Sequence, residues 1–430
     1  MASDDDVADA LKAPPPRGVL ARGLARSYGD AAQNAGGQVL DMVGLDRVHD
    51  LDLKAGIAVV DAGLSLDDLL LTVVPLGWFI AVSPGTRYVT VGGAIASDIH
   101  GKNHHADGTF CRHVRSFQLR LPGGEVLTVT PDRSPDVFWA TAGGLGLTGV
   151  VTQATLQLLP IETAQMKVDT ERATDLDDCM ARMEAGDHGY RYSVAWIDCL
   201  ARGARLGRSV LTRGDHAKLN DLPAGQRPGA RRYAPRQLAK APPWVPSRAL
   251  NRLTVTAFNE AWFRRAPRHE VGGLESIAAF FHPLDMVREW NRVYGRRGFL
   301  QYQFVVPFGA EQAVRNAVER LSSRRCPSFL AVLKRFGPQD GAYLSFPRPG
   351  WTLTLDIPAA LGDLDQLLDG LDDVVLSAGG RVYLAKDSRL PARHVPAMYP
   401  QLDAWREVRD RLDPGRHLTS DLARRLDLLG

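Results

Sequence analysis

The chain has 430 residues and a mass of 47.0 kDa, about three ~150-residue units, so two domains or one long interrupted domain are expected. Its hydrophobic, charged and aromatic fractions of 45%, 23% and 7% exclude a disordered or collagen-like chain. A net charge of +3 excludes a dedicated nucleic-acid-binding domain, and Cys111, Cys179, Cys199 and Cys326, far apart without a CxxC, read as reduced structural thiols.

The opening Met-Ala-Ser-Asp-Asp-Asp lacks the basic and apolar regions of a secretion signal. The longest apolar stretch, Leu69 to Val82, has 14 residues, contains Pro75 and Gly77, and falls short of a membrane span. A cytoplasmic protein is expected, able to act as a peripheral protein on the inner face of the plasma membrane.

In chain order, Gly18–Arg22, Ile57–Asp61 and Val150–Leu158 read as strands, and Ser65–Val74 as a helix capped by Ser65. Two alternating runs between Phe117 and Thr130 flank Pro122-Gly123-Gly124, a hairpin signal. After Pro160 the pattern restarts with strands at Tyr190–Ile197, Leu300–Val306, Ser328–Phe336 and Trp351–Ile357, and helices at Ala310–Ser323 and Leu361–Ser377. This is α+β texture. It places a first domain at 1–161, a second at 162–380 with a helix-flanked antiparallel sheet, and a tail, 381–430, that returns to the first. The tail carries a strand Arg381–Lys386, a helix around Tyr399–Leu412 and a final segment Thr419–Leu429.

From Leu222 to Asn259 there is no Asp or Glu, but there are Arg227, Arg231, Arg232, Arg236, Lys240, Arg248 and Arg252 among six prolines, Pro243 included. Such proline density opposes regular structure, so a flexible basic loop is expected, either a solvated surface loop or a flap that meets an anionic, greasy partner with Tyr233 and Trp244 as apolar anchors.

Gly-rich sequence occurs three times. Gly144-Leu145-Gly146-Leu147-Thr148-Gly149 fits GxGxxG, but Val150–Leu156 after it reads as a strand, so the Rossmann fingerprint fails its context. The other two are Arg22-Gly23-Leu24-Ala25-Arg26-Ser27-Tyr28-Gly29-Asp30, and Pro84-Gly85-Thr86 leading into Thr90-Val91-Gly92-Gly93-Ala94-Ile95-Ala96-Ser97-Asp98-Ile99-His100-Gly101. Both put small residues where backbone N–H groups can approach an anion, and the second opens a helix. Together they suggest a pyrophosphate cradle without a Rossmann helix. His100, His104 and His105 could suggest a metal site, but no thiol is near in sequence and only Asp98 and Asp107 are nearby carboxylates, so no metal is expected.

These two segments, continued by Lys102-Asn103-His104-His105, resemble the FAD-binding (PCMH-type) domain of the vanillyl-alcohol oxidase flavoprotein family. Within it they are similar to the branch acting on polyprenyl-phosphate ribofuranosides. The likeness runs from about Val19 to the C-terminus through His282-Pro283-Leu284-Asp285-Met286, Leu333-Lys334-Arg335-Phe336 and Ala385-Lys386-Asp387-Ser388-Arg389. It implies a two-domain fold with FAD bound non-covalently, because the turn Arg26–Asp30 lacks the histidine by which some relatives tether it. It implies cofactor contacts from Arg22, Gly23, Leu24, Ala25, Arg26, Ser27, Tyr28, Gly29 and Asp30, then Gly85, Thr86, Thr90, Val91, Gly92 and Gly93. Ser97, Asp98, Ile99, His100, Asn103, Gly146, Val151 and Tyr383 complete the set. Two departures stand out. Relatives carry a longer N-terminal segment where this sequence opens on a helix Val7–Lys12, and many have a cysteine at the position of Thr354.

The reaction so implied is oxidation of a C2 hydroxyl to a 2-keto sugar, the first half of an epimerisation that a separate NAD-dependent reductase completes toward the arabinose donor for cell-wall arabinan. Such chemistry needs a hydride acceptor, a group for the hydroxyl proton and positive charge near the flavin. Lys386 matches the family's active-site lysine and is assigned hydroxyl binding with charge stabilisation or proton transfer. His100 can face the isoalloxazine, Tyr28 borders flavin and sugar, and Gln301 and Gln303, two apart on a strand, point to one face toward ribose hydroxyls. Lys334 and Tyr383 are further candidates, while Trp196 and Trp351 read as core or pocket wall. The alternatives are an oxidase of a free alditol, aldonolactone or nucleoside-type sugar, and a catalytically silent flavin-fold subunit.

Overall fold

The structure is a computed structural model and describes residues 1–242, 244–246 and 250–430, so Pro243 and Arg248 of the basic segment lie outside the described residues. The first part of the chain supplies β1 (Val19–Arg22), β2 (Gln38–Asp41), β3 (Val48–Asp52), β4 (Ile57–Asp61), β5 (Trp78–Ile80), β6 (Val114–Arg120), β7 (Val126–Val129) and β8 (Val150–Pro160). Strands β1 and β2 pair in parallel, and the others form an antiparallel sheet of order β3-β4-β8-β6-β7, with β5 on β8. In β8 every second residue from Val150 to Leu158 is buried, the alternation of a strand with one face on a core. The Leu66–Val73 helix closes that core through Leu66, Leu69, Leu70 and Val73, started by Ser65 Oγ accepting from Asp68 N at 3.0 Å. Each such side chain contributes about 1.5–3 kcal/mol by leaving water.

The second sheet has eight strands: β9 (Gln165–Ala173), β10 (Tyr192–Ile197), β11 (Ser209–His216), β13 (His269–Ser276), β15 (Phe299–Val306), β16 (Ala331–Phe336), β17 (Gly350–Pro358) and β18 (Arg381–Val382). Their order is β13-β9-β11-β10-β16-β17-β15-β18, antiparallel throughout. All nine residues of β17 are buried, because the helices Glu311–Ser323 and Leu364–Ser377 cover one face and the first sheet's loops the other. Tyr302 on β15 points to the helices, its hydroxyl donating to Asp372 at 2.8 Å. Gln301 and Gln303 therefore point away from them.

The tail divides. Arg381–Val382 hydrogen-bonds into the larger sheet, whereas Leu418 bridges Val19, Trp405 Nε1 donates to Ala140 O at 2.9 Å, and Arg425 grips Asp30 with two bonds of 2.7 Å.

The basic segment departs from the expected irregular loop. Ala239–Lys240 (β12) pairs in parallel with Val287–Arg288 (β14), and the last eight residues of the segment open a helix, Arg252–Arg265, capped by Asn251. Tyr233, expected as an exposed anchor, is buried beside Arg87 and Asp285. Arg227 and Arg231 are tied to the carbonyls of Leu222 and Glu162, because a guanidinium can bridge to backbone where a proline-rich chain leaves carbonyls unpaired. Both stay exposed all the same, as do Arg232, Arg236, Leu238, Lys240 and Trp244.

Candidate active site

The two glycine-rich segments meet. A Cβ on Gly23 would lie 2.1 Å from Thr90 Oγ1, so only glycine lets the turn after β1 rest on the N-terminus of the Val91–Ala96 helix, where Thr90 Oγ1 accepts from Gly93 N at 3.2 Å. Gly29, at φ +59°, sits against the carbonyl of Asp387, and Tyr28 N donates to Ala385 O at 3.1 Å. The first turn is thereby fastened both to the second and to the segment carrying Lys386. That lysine is in a tight turn, Leu384–Lys386, rather than at the end of a longer strand, since β18 stops at Val382. His100 likewise follows the helix in a bridge to Thr109 and does not share a helix face with His104, whose helix begins at His104. Among the described residues no group of three His, Cys, Asp or Glu side chains is arranged to hold a metal.

Residues 23–30 are mostly exposed, with Ala25 in the left-handed region, and Gly85 and Gly146 face open space. The side chains of several expected cofactor residues are already engaged by protein. Asp30 holds Arg425, Thr86 Oγ1 donates to Asp285 at 2.7 Å, Asp98 accepts from Ser345 at 2.6 Å, and Asn103 donates to Ala81 O at 2.8 Å. Asp30, Thr86 and Asp98 thus offer a ligand backbone rather than side chain, whereas the buried Oδ1 of Asn103 has no partner in the protein. Arg22 ends β1, Leu24 and Ser27 are exposed, Arg26 lies over the Tyr88 ring, and Val151 is part-buried in β8. Ser97 O accepts from Tyr383 OH at 2.8 Å, which brings the larger sheet onto the glycine-rich helix.

Over that helix the polar face of β15, β16 and β17 converges. Register places Gln301 opposite Asp356 and Gln303 opposite Thr354, with Thr352 opposite Lys334. Gln301 Nε2 donates to Asp356 Oδ1 at 2.5 Å and Tyr294 OH to Oδ2 at 3.0 Å. Gln303 Nε2 lies 3.0 Å from His100 Nε2, and Lys334 Nζ lies 3.2 Å from His100 Nδ1. Lys386 Nζ stands 5.9 Å from the centre of the Tyr28 ring, which packs edge-on against Phe299. All six expected catalytic side chains, Lys386, His100, Tyr28, Gln301, Gln303 and Lys334, thus gather in one place.

Burial governs the ionisation there. It pulls Lys386 down to about 8 against the opposing pull of the Asp356 carboxylate, and pushes Asp356 up to about 6 despite its hydrogen bonds. His100 is held well below its ordinary value by burial and then by Lys334, Lys386 and His104. Tyr28 is raised, by burial first and Asp356 second. The buried Oε1 atoms of Gln301 and Gln303 have no partner in the protein, as expected of groups that a ligand completes. Open glycine turns on one side and orphaned amide oxygens on the other fit a flavin between them.

Asp356, Tyr294 and Thr352 were not expected from sequence. The signal was available for two of them: Thr352, Thr354 and Asp356 alternate with leucines, a polar face on an otherwise apolar strand.

Comparison with known proteins agrees. The FAD-binding domain family matches residues 1–130, and the D-arabinono-1,4-lactone oxidase family matches residues 354–426. Decaprenylphosphoryl-β-D-ribose oxidase of Mycolicibacterium smegmatis is 45% identical over 415 residues, covering 96% of this chain and 90% of its own. L-gulono-1,4-lactone dehydrogenase of Mycobacterium tuberculosis is 24% identical over 99% of this chain and 94% of its own. The crystal structure of 6-hydroxy-D-nicotine oxidase from Arthrobacter nicotinovorans shares the fold, with a TM-score of 0.64 at 16% identity over 97% of this chain and 89% of that one.

Fold and site define an FAD-dependent oxidoreductase of the vanillyl-alcohol oxidase class. Within that class the chain belongs to the decaprenylphosphoryl-β-D-ribose oxidase family.

Proposed function

We propose that the enzyme oxidises the C2 hydroxyl of a polyprenylphosphoryl ribofuranose to the 2-keto sugar, which a separate NAD-dependent reductase converts to the arabinose epimer. The observation that carries this reading is the 45% identity with the mycolicibacterial oxidase over 96% of the chain. FAD supplies the hydride acceptor. Residues 22–30, 85–86 and 90–93 would hold it through backbone N–H groups, with Tyr383 and His100 against the ring. Residues 1–161 with most of the tail form the flavin domain and 162–380 the substrate domain.

Lys386 binds the reacting hydroxyl and places positive charge where electron density arrives; the nearby Asp356 keeps its ammonium from being lost to burial. Gln301 and Gln303 accept from ribose hydroxyls through their free Oε1 atoms. Tyr28 and Phe299, edge to face at 5.7 Å, close the site toward water. The lipid enters from a membrane face formed by Leu238 and Trp244, 71% and 76% exposed, with Arg232 and Arg236 beside them for anionic headgroups. The proposed arrangement is a peripheral contact on the cytoplasmic side; among the described residues no helix is long and apolar enough to cross a membrane.

The match of residues 354–426 to an aldonolactone oxidase family favours a second reading, oxidation of a free aldonolactone. Anaerobic mixing with farnesylphosphoryl ribose decides between them: flavin bleaching that requires the prenyl phosphate supports the first, and equal bleaching by a free lactone the second.

A further inference from the structure

A run of hydrogen bonds with a fixed direction passes behind His100. It starts at the carbonyl of Phe304, which lies 2.8 Å from Thr352 Oγ1. Thr352 Oγ1 is 3.1 Å from Gln303 Nε2, that nitrogen is 3.0 Å from His100 Nε2, and His100 Nδ1 is 3.2 Å from Lys334 Nζ.

A carbonyl only accepts, so the single proton of Thr352 goes to Phe304 and its oxygen can only accept from Gln303. Gln303 must therefore present its NH2, whose second proton reaches His100 Nε2. That nitrogen carries a lone pair, which excludes the imidazolium and leaves the ring's one proton on Nδ1. The Nδ1–H then points at Lys334. An ammonium has only donors and cannot face it, whereas an uncharged amine accepts.

The surroundings act in the same direction. Lys334 is enclosed away from water beside two cations, Lys386 and Lys102, with the uncharged rings of His100 and His104 alongside, while the carboxylate of Asp356 acts on Lys386. The face of the Phe336 ring, 5.8 Å away, favours the ammonium, but only weakly at that distance.

We propose that Thr352 is a positioning residue that, through Gln303 and His100, holds Lys334 as an uncharged amine, and that this amine accepts the proton of the substrate hydroxyl. The proposal rests on the alcohol oxidation put forward above. In the step, Lys334 Nζ turns its one lone pair from His100 Nδ1–H to the substrate hydroxyl, the O–H bond breaks with its proton passing to Nζ, and the O–H electron pair closes the carbonyl. The C2–H bond breaks with hydrogen and electron pair passing to FAD. The sugar loses two electrons, FAD gains them, and Lys334 becomes an ammonium.

The protonation of Lys334 can be read without substrate. Trace acetylation of the holoenzyme across pH, followed by peptide mass spectrometry, gives the midpoint at which each lysine becomes reactive. In the parent, Lys334 should reach its midpoint at least about one pH unit below exposed Lys54. Thr352→Val removes the anchor, frees Gln303 to turn its Oε1 toward His100 and lets Nδ1 accept from an ammonium, so the midpoint should rise by about one unit or more. Thr352→Ser keeps the hydroxyl and should keep the parent midpoint. Gln303→Leu breaks the run one link further on and should behave as Thr352→Val, which covers the case where the valine variant does not fold with FAD. Lys334 titrating with Lys54 in the parent, or an unmoved midpoint in both breaking variants, overturns the proposal. In the reductive half-reaction the acid limb should move by the same amount as the midpoint, and a stationary limb overturns the proton-acceptor role. Failure of the prenyl-phosphate sugar to bleach flavin at any pH, with labelling as expected, refutes the substrate reading and leaves the uncharged lysine standing.

Discussion

Gly23→Ala tests the join between the two halves of the flavin cradle. The added Cβ would lie 2.1 Å from Thr90 Oγ1 and 2.8 Å from Thr90 Cγ2, more than 1 Å inside ordinary contact for the oxygen, and no unusual φ at Gly23 adds to the cost. Two effects combine. Displacing the Thr90 hydroxyl removes the cap on Gly93 N, about 1 kcal/mol, and crowding the junction costs about 1–3 kcal/mol. The exposed turn 24–27 lets the first segment swing away in the free protein, so most of this should appear as lost cofactor affinity rather than lost folding. A sum of about 2–4 kcal/mol corresponds to roughly 30- to 1,000-fold weaker FAD binding. The assay is FAD fluorescence quenching on protein stripped of flavin, with the Tm of the stripped form recorded alongside. Adding Thr90→Ala removes the two closest atoms and leaves only Cβ, 3.0 Å away, so it should recover most of the crowding cost but not the cap contribution. Gly123→Ala, where a Cβ meets nothing within 4 Å, should bind FAD as the parent does. Parent affinity in Gly23→Ala would show that the two segments do not form one cradle.

Lys386→Ala should retain FAD and lose roughly 10²–10⁴-fold in flavin reduction rate, while Asp356→Asn, by removing the carboxylate that raises Lys386, should move the alkaline limb of the pH–rate profile to lower pH; an alkaline shift would reverse the assigned sign. Acid precipitation should leave the yellow colour in the supernatant, and a yellow pellet would mean a covalent flavin. Native holoenzyme, whose four cysteines are all buried, should consume almost no thiol reagent, whereas Thr354→Cys should consume one equivalent with protection by substrate; a mass shift at Thr354 in the parent would contradict this. Arg232→Gln, Arg236→Gln and Trp244→Ser together should weaken sedimentation with anionic vesicles by roughly tenfold or more, at about 1 kcal/mol per base, and raise KM for a long-chain substrate without changing kcat on a short soluble one; equal losses on both substrates would move this segment into the active site.

Regular elements with a clear period were legible in the chain: β8 by its alternation, the Leu66–Val73 helix by its apolar face and Ser65 cap, and Gln301 and Gln303 on one face of β15. Other elements were not. β9, β11 and β13 mix charge with apolar residues because edge and near-edge strands meet solvent, and β13 is mostly exposed, so no period marks it. The start of the Arg252–Arg265 helix was hidden by the proline-rich run before it, and the packing of Asn259 onto Asp198 at 2.7 Å, which helps hold it, joins residues 61 apart.

The sequence by itself determined which chemistry is available. Glycines in the two turns, the lysines, His100 and the paired glutamines are local facts; the turns suggested a pyrophosphate cradle without a Rossmann helix, and the resemblance to a flavoprotein family implied FAD. Tertiary structure alone decided which of them act together and in what ionisation state. Asp356 and Lys386, or Gln303 and His100, become partners only when distant segments pack, since hydrogen bonds extend about 3 Å while these residues lie on separate elements. The pKa shifts follow from that packing as well: a lysine is charged in an extended chain, and only burial away from water, with Lys386 and Lys102 beside it, draws Lys334 well below its ordinary value.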